Sequence, residues 1–159
     1  MILITLGTQD KSFTRLLDAV QKQIDAGVIK DKIIVQAGCT KYDSKDMEIL
    51  DLIPYDKFDE YINKCDILIT HGGVGSIITG LKNQKTVIAA ARLAKYKEHT
   101  NDHQLQIIEN FKESGYILAL EDFDKLDELL INAKKFKPKK YKSNTSEMIK
   151  LVKDFIDNN

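Results

Sequence analysis

The sequence has little of several features that would identify whole classes of protein. Its 159 residues include only two cysteines, Cys39 and Cys65, which are too few and too isolated for a disulfide framework or a zinc site. Lysine and arginine total 24, and aspartate and glutamate also total 24. Because the net charge is zero, no overall field attracts the chain to nucleic acid, and nucleic acid is not an expected partner.

Long apolar runs are missing as well. The N-terminal stretch MILITLGTQ has neither the basic residues nor the apolar length of a signal peptide. No window approaches the roughly 18 apolar residues of a membrane-spanning helix. These absences predict a cytoplasmic protein in a reducing setting, whose contact with a membrane is peripheral.

Short apolar runs alternate with segments of helical spacing along the chain. Buried strands are predicted at 1–6, 32–37, 66–70, 86–91 and 116–120. Helices are predicted at 13–27, 56–64, 76–82, 100–115 and 122–133, while 39–51 is not assigned and 52–55 is a short extended piece. In the fourth helix, Leu105, Ile108 and Phe111 are expected to face inward. The alternation predicts one α/β domain, 1–159, with a Rossmann-like, doubly wound parallel sheet.

The C-terminal part of the sequence has a different composition. A lysine-rich segment covers 134–142 and contains Pro138, which ends any helix there. An amphipathic helix is predicted at about 145–157, with apolar residues that suit either the core or a partner interface.

Two polar stretches are predicted to meet at the carboxyl edge of the sheet, where ligands bind in such folds. After the third strand, the glycine loop, residues 72–76, leads from His71 into a helix whose first N–H groups suit a diphosphate. After the fourth strand, the polar cluster, residues 99–104, offers six consecutive side chains that suit a polyhydroxylated group. Residues 7–9 follow the first strand and lie at the same edge.

Common nucleotide and catalytic motifs do not match this stretch. A dinucleotide fingerprint requires glycine where Ile78 stands, and a P-loop lysine would precede Lys82 by one position. His99 and His103 are four residues apart but lack the glutamate of a zinc-binding HExxH motif. No serine stands in a GxSxG elbow.

The chain resembles the C-terminal, donor-binding half of family 28 GT-B glycosyltransferases. The resemblance lies in the succession of a strand, the sequence HGGVGS, a helix, a second strand and a loop that ends in NDHQ. Within that family, the chain is most similar to the small single-domain subunits of the Alg13 and PssE types. The resemblance extends from LGTQ through DKFDEYINKCDILITHGGVGS to HQ and ESGYIL.

This resemblance implies a role for each matching residue. The diphosphate of a UDP-sugar would lie against Gly72, Gly73, Val74, Gly75 and Ser76. The donor sugar would contact Asn101, Asp102, His103 and Gln104. His71 is the catalytic candidate, assisting the departing UDP, and further contacts are expected from Gly7, Thr8, Gln9, Thr79 and Arg92. Thr79 stands about where many members have a glutamate for the ribose hydroxyls. Neither a metal nor a cofactor is implied.

The resemblance also implies an activity and partners. The chain would be the donor-binding, catalytic subunit of an inverting transferase that moves a hexose or N-acetylhexosamine to a lipid-linked saccharide in cell-surface or exopolysaccharide synthesis. A membrane-anchored Alg14/PssD-like subunit would hold the acceptor and bring this chain to the inner face of the membrane. Two alternatives stay open: a non-catalytic subunit that stabilises a partner transferase, and a flavodoxin-like or other nucleotide-binding module.

Overall fold

Six parallel strands form one sheet in the order β3-β2-β1-β4-β5-β6, which places the first strand near its centre. The structure is a computed structural model that describes residues 1–141 and 153. The strands are β1 Ile2–Thr5, β2 Ile33–Gln36, β3 Met47–Leu50, β4 Ile67–His71, β5 Thr86–Ala90 and β6 Leu118–Ala119. Apart from residue 153, the helix predicted at about 145–157 lies outside the described residues.

Helices cover both faces of the sheet, as the continuous apolar strands require. They are α1 Thr14–Asp25, α2 Tyr55–Lys64, α3 Val74–Lys82, α4 His103–Glu113 and α5 Leu126–Ala133. Helices α1 and α5 share one core with Ile2 and Ile4 of β1. Helices α2, α3 and α4 share the other core with Leu3, because successive strand residues point to opposite faces.

The winding of the sheet reverses between β1 and β4. The chain moves outward from β1 to β3 on one side and then returns to β4 on the other side of β1. The two neighbours are in register, and the hydroxyl of Thr5 donates to that of Thr70 at 2.8 Å. Loops leave the carboxyl ends of these two strands in opposite directions, which opens a crevice at this point.

The α/β fold class and the parallel sheet are confirmed, but three local predictions are wrong. The unassigned stretch 39–51 contains strand β3, and in the predicted extended piece Pro54 has extended backbone angles (φ −55°, ψ 148°), while Tyr55 already begins α2. Strand β6 covers only two of the five residues predicted at 116–120. A 3-10 turn, Phe123–Lys125, precedes α5, so the helix predicted from 122 is shorter. On α4 the predicted inward residues Ile108 and Phe111 are buried, but Leu105 is 50% exposed and Ile107 is buried instead. The single-domain division of 1–159 stays a prediction.

Candidate functional site

The glycine loop begins where β4 ends, beside the crevice between β1 and β4. Gly73 is the N-cap residue of α3 with no side-chain cap, so the first N–H groups of the helix are not capped by that side chain. A β-carbon added at Gly75 would meet nothing within 4 Å. The loop therefore presents backbone donors and the positive end of a helix dipole to open space, as an anion site requires.

His71 is packed tightly between two glycines at the base of this loop. Its side chain is 7% exposed, and a β-carbon at Gly7 would lie 2.8 Å from its Nε2. A β-carbon at Gly73 would overlap its Cε1. On the open side, the hydroxyl oxygen of Ser76 lies 3.4 Å from Nε2. These glycines are needed because any side chain at either position would occupy the place of the imidazole ring.

The environment of His71 keeps its ring uncharged. Burial, followed by the positive charge of Arg92 and the proximity of His99, lowers the pKa of His71 from 6.5 to about 4. A histidine with this pKa is neutral at pH 7 and is a weak base, but it can still donate one hydrogen bond.

Gln104 joins the ends of two strands. Its Oε1 accepts hydrogen bonds from the backbone N–H of Gly72, at 2.9 Å, and of Arg92, at 3.0 Å. Its Nε2 lies 3.3 Å from Nδ1 of His71. The side chain is 4% exposed, so this residue holds the loops that follow β4 and β5 together beneath the crevice.

The rest of the polar cluster is largely bonded to itself and to the preceding loop. Asn101 Oδ1 accepts from the N–H of His103 at 3.0 Å, and Asp102 Oδ1 accepts from the N–H of Ala94 at 2.8 Å. His99 Nδ1 accepts from the N–H of Asn101 at 3.2 Å. These bonds shape the turn that leads into α4.

Arg92 lies behind the crevice instead of lining it. Its side chain is 1% exposed, and its guanidinium donates to three backbone carbonyls, those of Leu6, Lys11 and Glu98. The buried Glu98 in turn forms an ion pair with the partly exposed Arg15 at 2.8 Å. Arg92 thus fixes the loop after β5 against the loop after β1, and its positive charge acts on His71 from inside the protein.

A cavity of about 270 Å³ lies where the predicted residues converge. Its walls contain Gln9, His71, Gly72, Gly73, Val74, Asn101, His103 and Gln104, together with His99 and Ile107. The other predicted site residues do not line this cavity. Three of them lie on α3: Gly75, Ser76 and Thr79. The remaining four lie near the site without forming its wall: Gly7, Thr8, Arg92 and Asp102. Thr79 donates its hydroxyl to the carbonyl of Gly75 at 2.8 Å.

Three polar residues of this region were not among the predicted site residues. His99 lines the cavity, and its Nε2 lies 3.0 Å from the amide of Gln9. Its position in the polar cluster was a signal that sequence reasoning had available. Glu98 and Arg15 gave no such signal, because their pairing joins residues 83 positions apart.

A larger cavity of about 600 Å³ lies at the opposite end of α3. Its walls include Leu81, Lys82, Lys85 and Tyr141, together with part of the lysine-rich segment. It is remote from the carboxyl edge of the sheet and contains none of the predicted site residues. In the part of the chain that the structure describes, no group of three or more potential ligand side chains is placed to hold a metal ion. The described helices include none that is long and apolar enough to cross a membrane.

Comparison with known proteins gives a family and a fold. The family described as glycosyltransferase family 28 C-terminal domain matches residues 1–158. The solution structure of ALG13 is similar, with a TM-score of 0.60 and 18% identity over 95% of this chain and 93% of that one. No curated protein matches the chain.

Two larger solved glycosyltransferases contain the same fold. The glycotransferase of kitacinnamycin has a TM-score of 0.56 and 13% identity, and SnogD from Streptomyces nogalater has 0.54 and 14%. Each match covers 99% of this chain but 40% and 43%, respectively, of those proteins. At such low identities these similarities show a shared fold.

Proposed function

The chain belongs to the glycosyltransferase family 28 C-terminal domain family, and from this membership we propose that it is the donor-binding, catalytic subunit of an inverting, UDP-sugar-dependent glycosyltransferase. The observation that carries the proposal is the cavity beside β4, whose wall contains both the neutral His71 and the uncapped start of α3 at Gly73 and Val74. Backbone N–H groups and a helix dipole stabilise a diphosphate without a cation.

In the proposed reaction, an acceptor hydroxyl oxygen attacks the anomeric carbon of the sugar. The bond between that carbon and the diphosphate oxygen breaks, UDP leaves with the electron pair, and the configuration inverts. The glycine loop stabilises the charge that develops on the departing UDP, and His71 donates a hydrogen bond to the same diphosphate. The proton of the acceptor hydroxyl goes to a base.

We place this base on a partner protein. A histidine with a pKa of about 4 is a poor base near neutral pH, so His71 is better suited to donating a hydrogen bond. The resemblance to Alg13-type and PssE-type subunits supports a membrane-anchored, Alg14/PssD-like partner. That partner would hold the lipid-linked saccharide acceptor at the inner face of the membrane.

Isothermal titration calorimetry tests the proposed donor site. UDP and several UDP-hexoses and UDP-N-acetylhexosamines are titrated into the chain, alone and in complex with the candidate membrane-anchored subunit. We expect UDP to bind in at least one preparation, and Gly75→Asp to remove that binding. If neither preparation binds UDP or any of the UDP-sugars, the catalytic proposal is wrong.

The second candidate function is a non-catalytic subunit that stabilises a partner transferase. It is favoured by Thr79, which stands where many family members have a ribose-binding glutamate and whose hydroxyl is already bonded to Gly75. On this alternative, the complex transfers sugar at the same rate with wild-type chain and with the Gly75→Asp variant. On the catalytic proposal, the variant complex assembles but does not transfer.

A further inference from the structure

The orientation of the Gln104 side-chain amide is determined by its two backbone contacts. One atom of the amide receives N–H groups from both Gly72 and Arg92. Only the carbonyl oxygen can accept two hydrogen bonds, since the NH₂ group is a donor. Turning the amide over would place its hydrogens against two backbone hydrogens in a buried site, at the cost of two unsatisfied donors.

This orientation directs the NH₂ group of Gln104 at His71, 3.3 Å from Nδ1. A neutral imidazole has one nitrogen with a proton and one with a lone pair. Because Nδ1 faces a donor, it must present its lone pair, and the proton lies on Nε2. We propose that Gln104 is a positioning residue that keeps the proton of His71 on Nε2, so that the ring always offers a hydrogen-bond donor to the crevice.

The surroundings of Nε2 show where this donor points. Nε2 lies beside Gly7, whose missing side chain leaves room for the ring, and 3.4 Å from the hydroxyl oxygen of Ser76 at the start of α3. If His71 donates to that oxygen, the hydroxyl proton of Ser76 is directed elsewhere, toward the open side of the loop. The serine hydroxyl and the helix N–H groups then donate toward the same region, and the Nε2–H of His71 donates there too when a diphosphate oxygen takes the place of the Ser76 oxygen as its acceptor.

The groups around the ring keep it neutral, so Gln104 can control only which ring nitrogen carries the proton. Arg92 from the loop after β5 and His99 from the polar cluster both disfavour a charged ring. The ring therefore stays neutral, and the neutral ring can carry its proton on either nitrogen. Without a donor at Nδ1 the proton would distribute between both positions, and the ring would present a lone pair to the diphosphate part of the time.

The substitution Gln104→Glu distinguishes the positioning role from a purely structural one. A purely structural role predicts no change at His71, whereas the positioning role predicts that its proton moves. In Gln104→Glu the carboxylate keeps an oxygen for the N–H groups of Gly72 and Arg92, so the tie between the two strand ends is retained. The atom that faces Nδ1, however, becomes an acceptor instead of a donor. The proton should move to Nδ1, and the nearby negative charge should raise the pKa of His71 by roughly one to three pH units.

The experiment is nuclear magnetic resonance of the protein with ¹⁵N-labelled histidine and no ligand. The chain has three histidines, and the His99→Gln and His103→Gln variants assign the remaining signals to His71. Protonated and bare ring nitrogens have well-separated ¹⁵N shifts, so each spectrum reports the tautomer directly. The matched control is Gln106→Glu, which makes the same charge change on the exposed side of α4.

In wild type at pH 7 we expect His71 to have its proton on Nε2, and we expect Gln106→Glu to give the same result. In Gln104→Glu we expect the proton on Nδ1 or a charged ring. A proton on Nδ1 in wild type overturns the proposal even if no variant folds. An unchanged His71 spectrum in folded Gln104→Glu also overturns it, because Gln104 would then be structural only.

The idea that the Nε2–H of His71 bonds a diphosphate rests on the proposed function. A second measurement tests that idea separately from the control of the tautomer by Gln104. UDP is added to the labelled wild-type protein, and the Nε2 signal of His71 is followed. A change in that signal supports both ideas. An Nε2–H tautomer that UDP does not perturb supports the role of Gln104 and counts against the proposed donor site.

Discussion

The glycine loop and the polar cluster lie at the same edge of the sheet, but they use their hydrogen-bonding groups in opposite ways. The loop directs the uncapped start of α3 into open space and has no side chain at Gly75. In the cluster, Asn101, Asp102 and Gln104 accept hydrogen bonds from backbone N–H groups of the protein itself. The loop leaves its hydrogen-bond donors open to the proposed ligand, and the cluster is largely the frame that holds the loop and α4 in place.

This difference shows that a polar stretch of sequence does not reveal whether its hydrogen-bonding atoms are open or already bonded within the protein. The cluster has more hydrogen-bonding atoms than the loop, but most of its assigned bonds are internal. His71 lies between the two regions and contacts both, through Ser76 of the loop and Gln104 of the cluster. Changes in the loop should therefore affect binding, and changes in the cluster should affect mainly stability.

The largest effect is expected at Gly75, where a side chain enters open space. Gly75→Asp places a carboxylate at the proposed diphosphate position without a clash inside the protein. Calorimetric binding of UDP should fall by at least a hundredfold, while the unfolding midpoint stays near that of wild type. Gly75→Asn is the matched control, because it has the same size without the charge.

Gly75→Asn should weaken UDP binding less than Gly75→Asp does. The Kd values of the two variants should differ by at least tenfold, which corresponds to about 1.4 kcal/mol. Equal losses for the two variants would mean that size and not charge is responsible, and the diphosphate would have to lie elsewhere.

The pH dependence of stability should reveal the buried ring that lies between the two regions. The pKa of His71 is 6.5 in an unfolded chain and about 4 in the folded protein. Between these values only the unfolded chain binds the proton, so acid favours unfolding. This contribution to stability is complete above pH 6.5 and is lost as the pH falls to about 4, a change of about 3 kcal/mol.

Urea unfolding of wild type and of His71→Asn at several pH values measures this contribution. The difference between their free energies of unfolding should be constant above pH 6.5 and should change in favour of the variant below it. A difference that does not depend on pH would show that His71 is solvated and titrates normally.

The sequence was sufficient for the sheet, because the sheet depends on local patterns, whereas the place of the site stays a prediction. Apolar runs predicted the central strands, and glycine after the apolar run of β4 predicted the loop. Edge strands were harder, since they are not buried on both faces. Strand β3 includes the exposed Glu48. This charged residue interrupts the apolar run, so the strand was not recognised in the stretch 39–51.

The inward face of α4 was predicted correctly at Ile108 and Phe111 but wrongly at Leu105, for a reason connected with the site. Gln104, Ile107, Ile108 and Phe111 form its buried face, but the first of these is polar because it bonds Gly72 and Arg92. The apolar pattern alone therefore favoured Leu105. The buried role of Arg92 was equally invisible, because its partners are backbone carbonyls of residues up to 86 positions away.

A smaller effect should separate two glycines within the glycine loop. In Gly73→Ala the new methyl group overlaps the ring of His71, whereas in Gly75→Ala it meets nothing. The first variant should lose about 1–3 kcal/mol of unfolding free energy through overpacking. The second should be as stable as wild type or gain up to about 1 kcal/mol, because alanine favours helix over glycine. Chemical denaturation of both variants decides this, and equal stabilities would contradict the tight packing around His71.

The smallest effect, at Asp102, tests whether the polar cluster is a frame only. Asp102→Ala removes the acceptor for the N–H of Ala94 and should cost about 1 kcal/mol of stability. Asp102→Asn keeps an acceptor oxygen and should cost less. The Kd values of UDP and of a UDP-sugar, measured for both variants, then separate frame from contact. If Asp102 only shapes the turn before α4, the two ligands lose affinity by the same factor, since both depend on the same diphosphate site. If Asp102 also bonds a sugar hydroxyl, the UDP-sugar loses more than UDP does, and the cluster has the second role that its sequence first indicated.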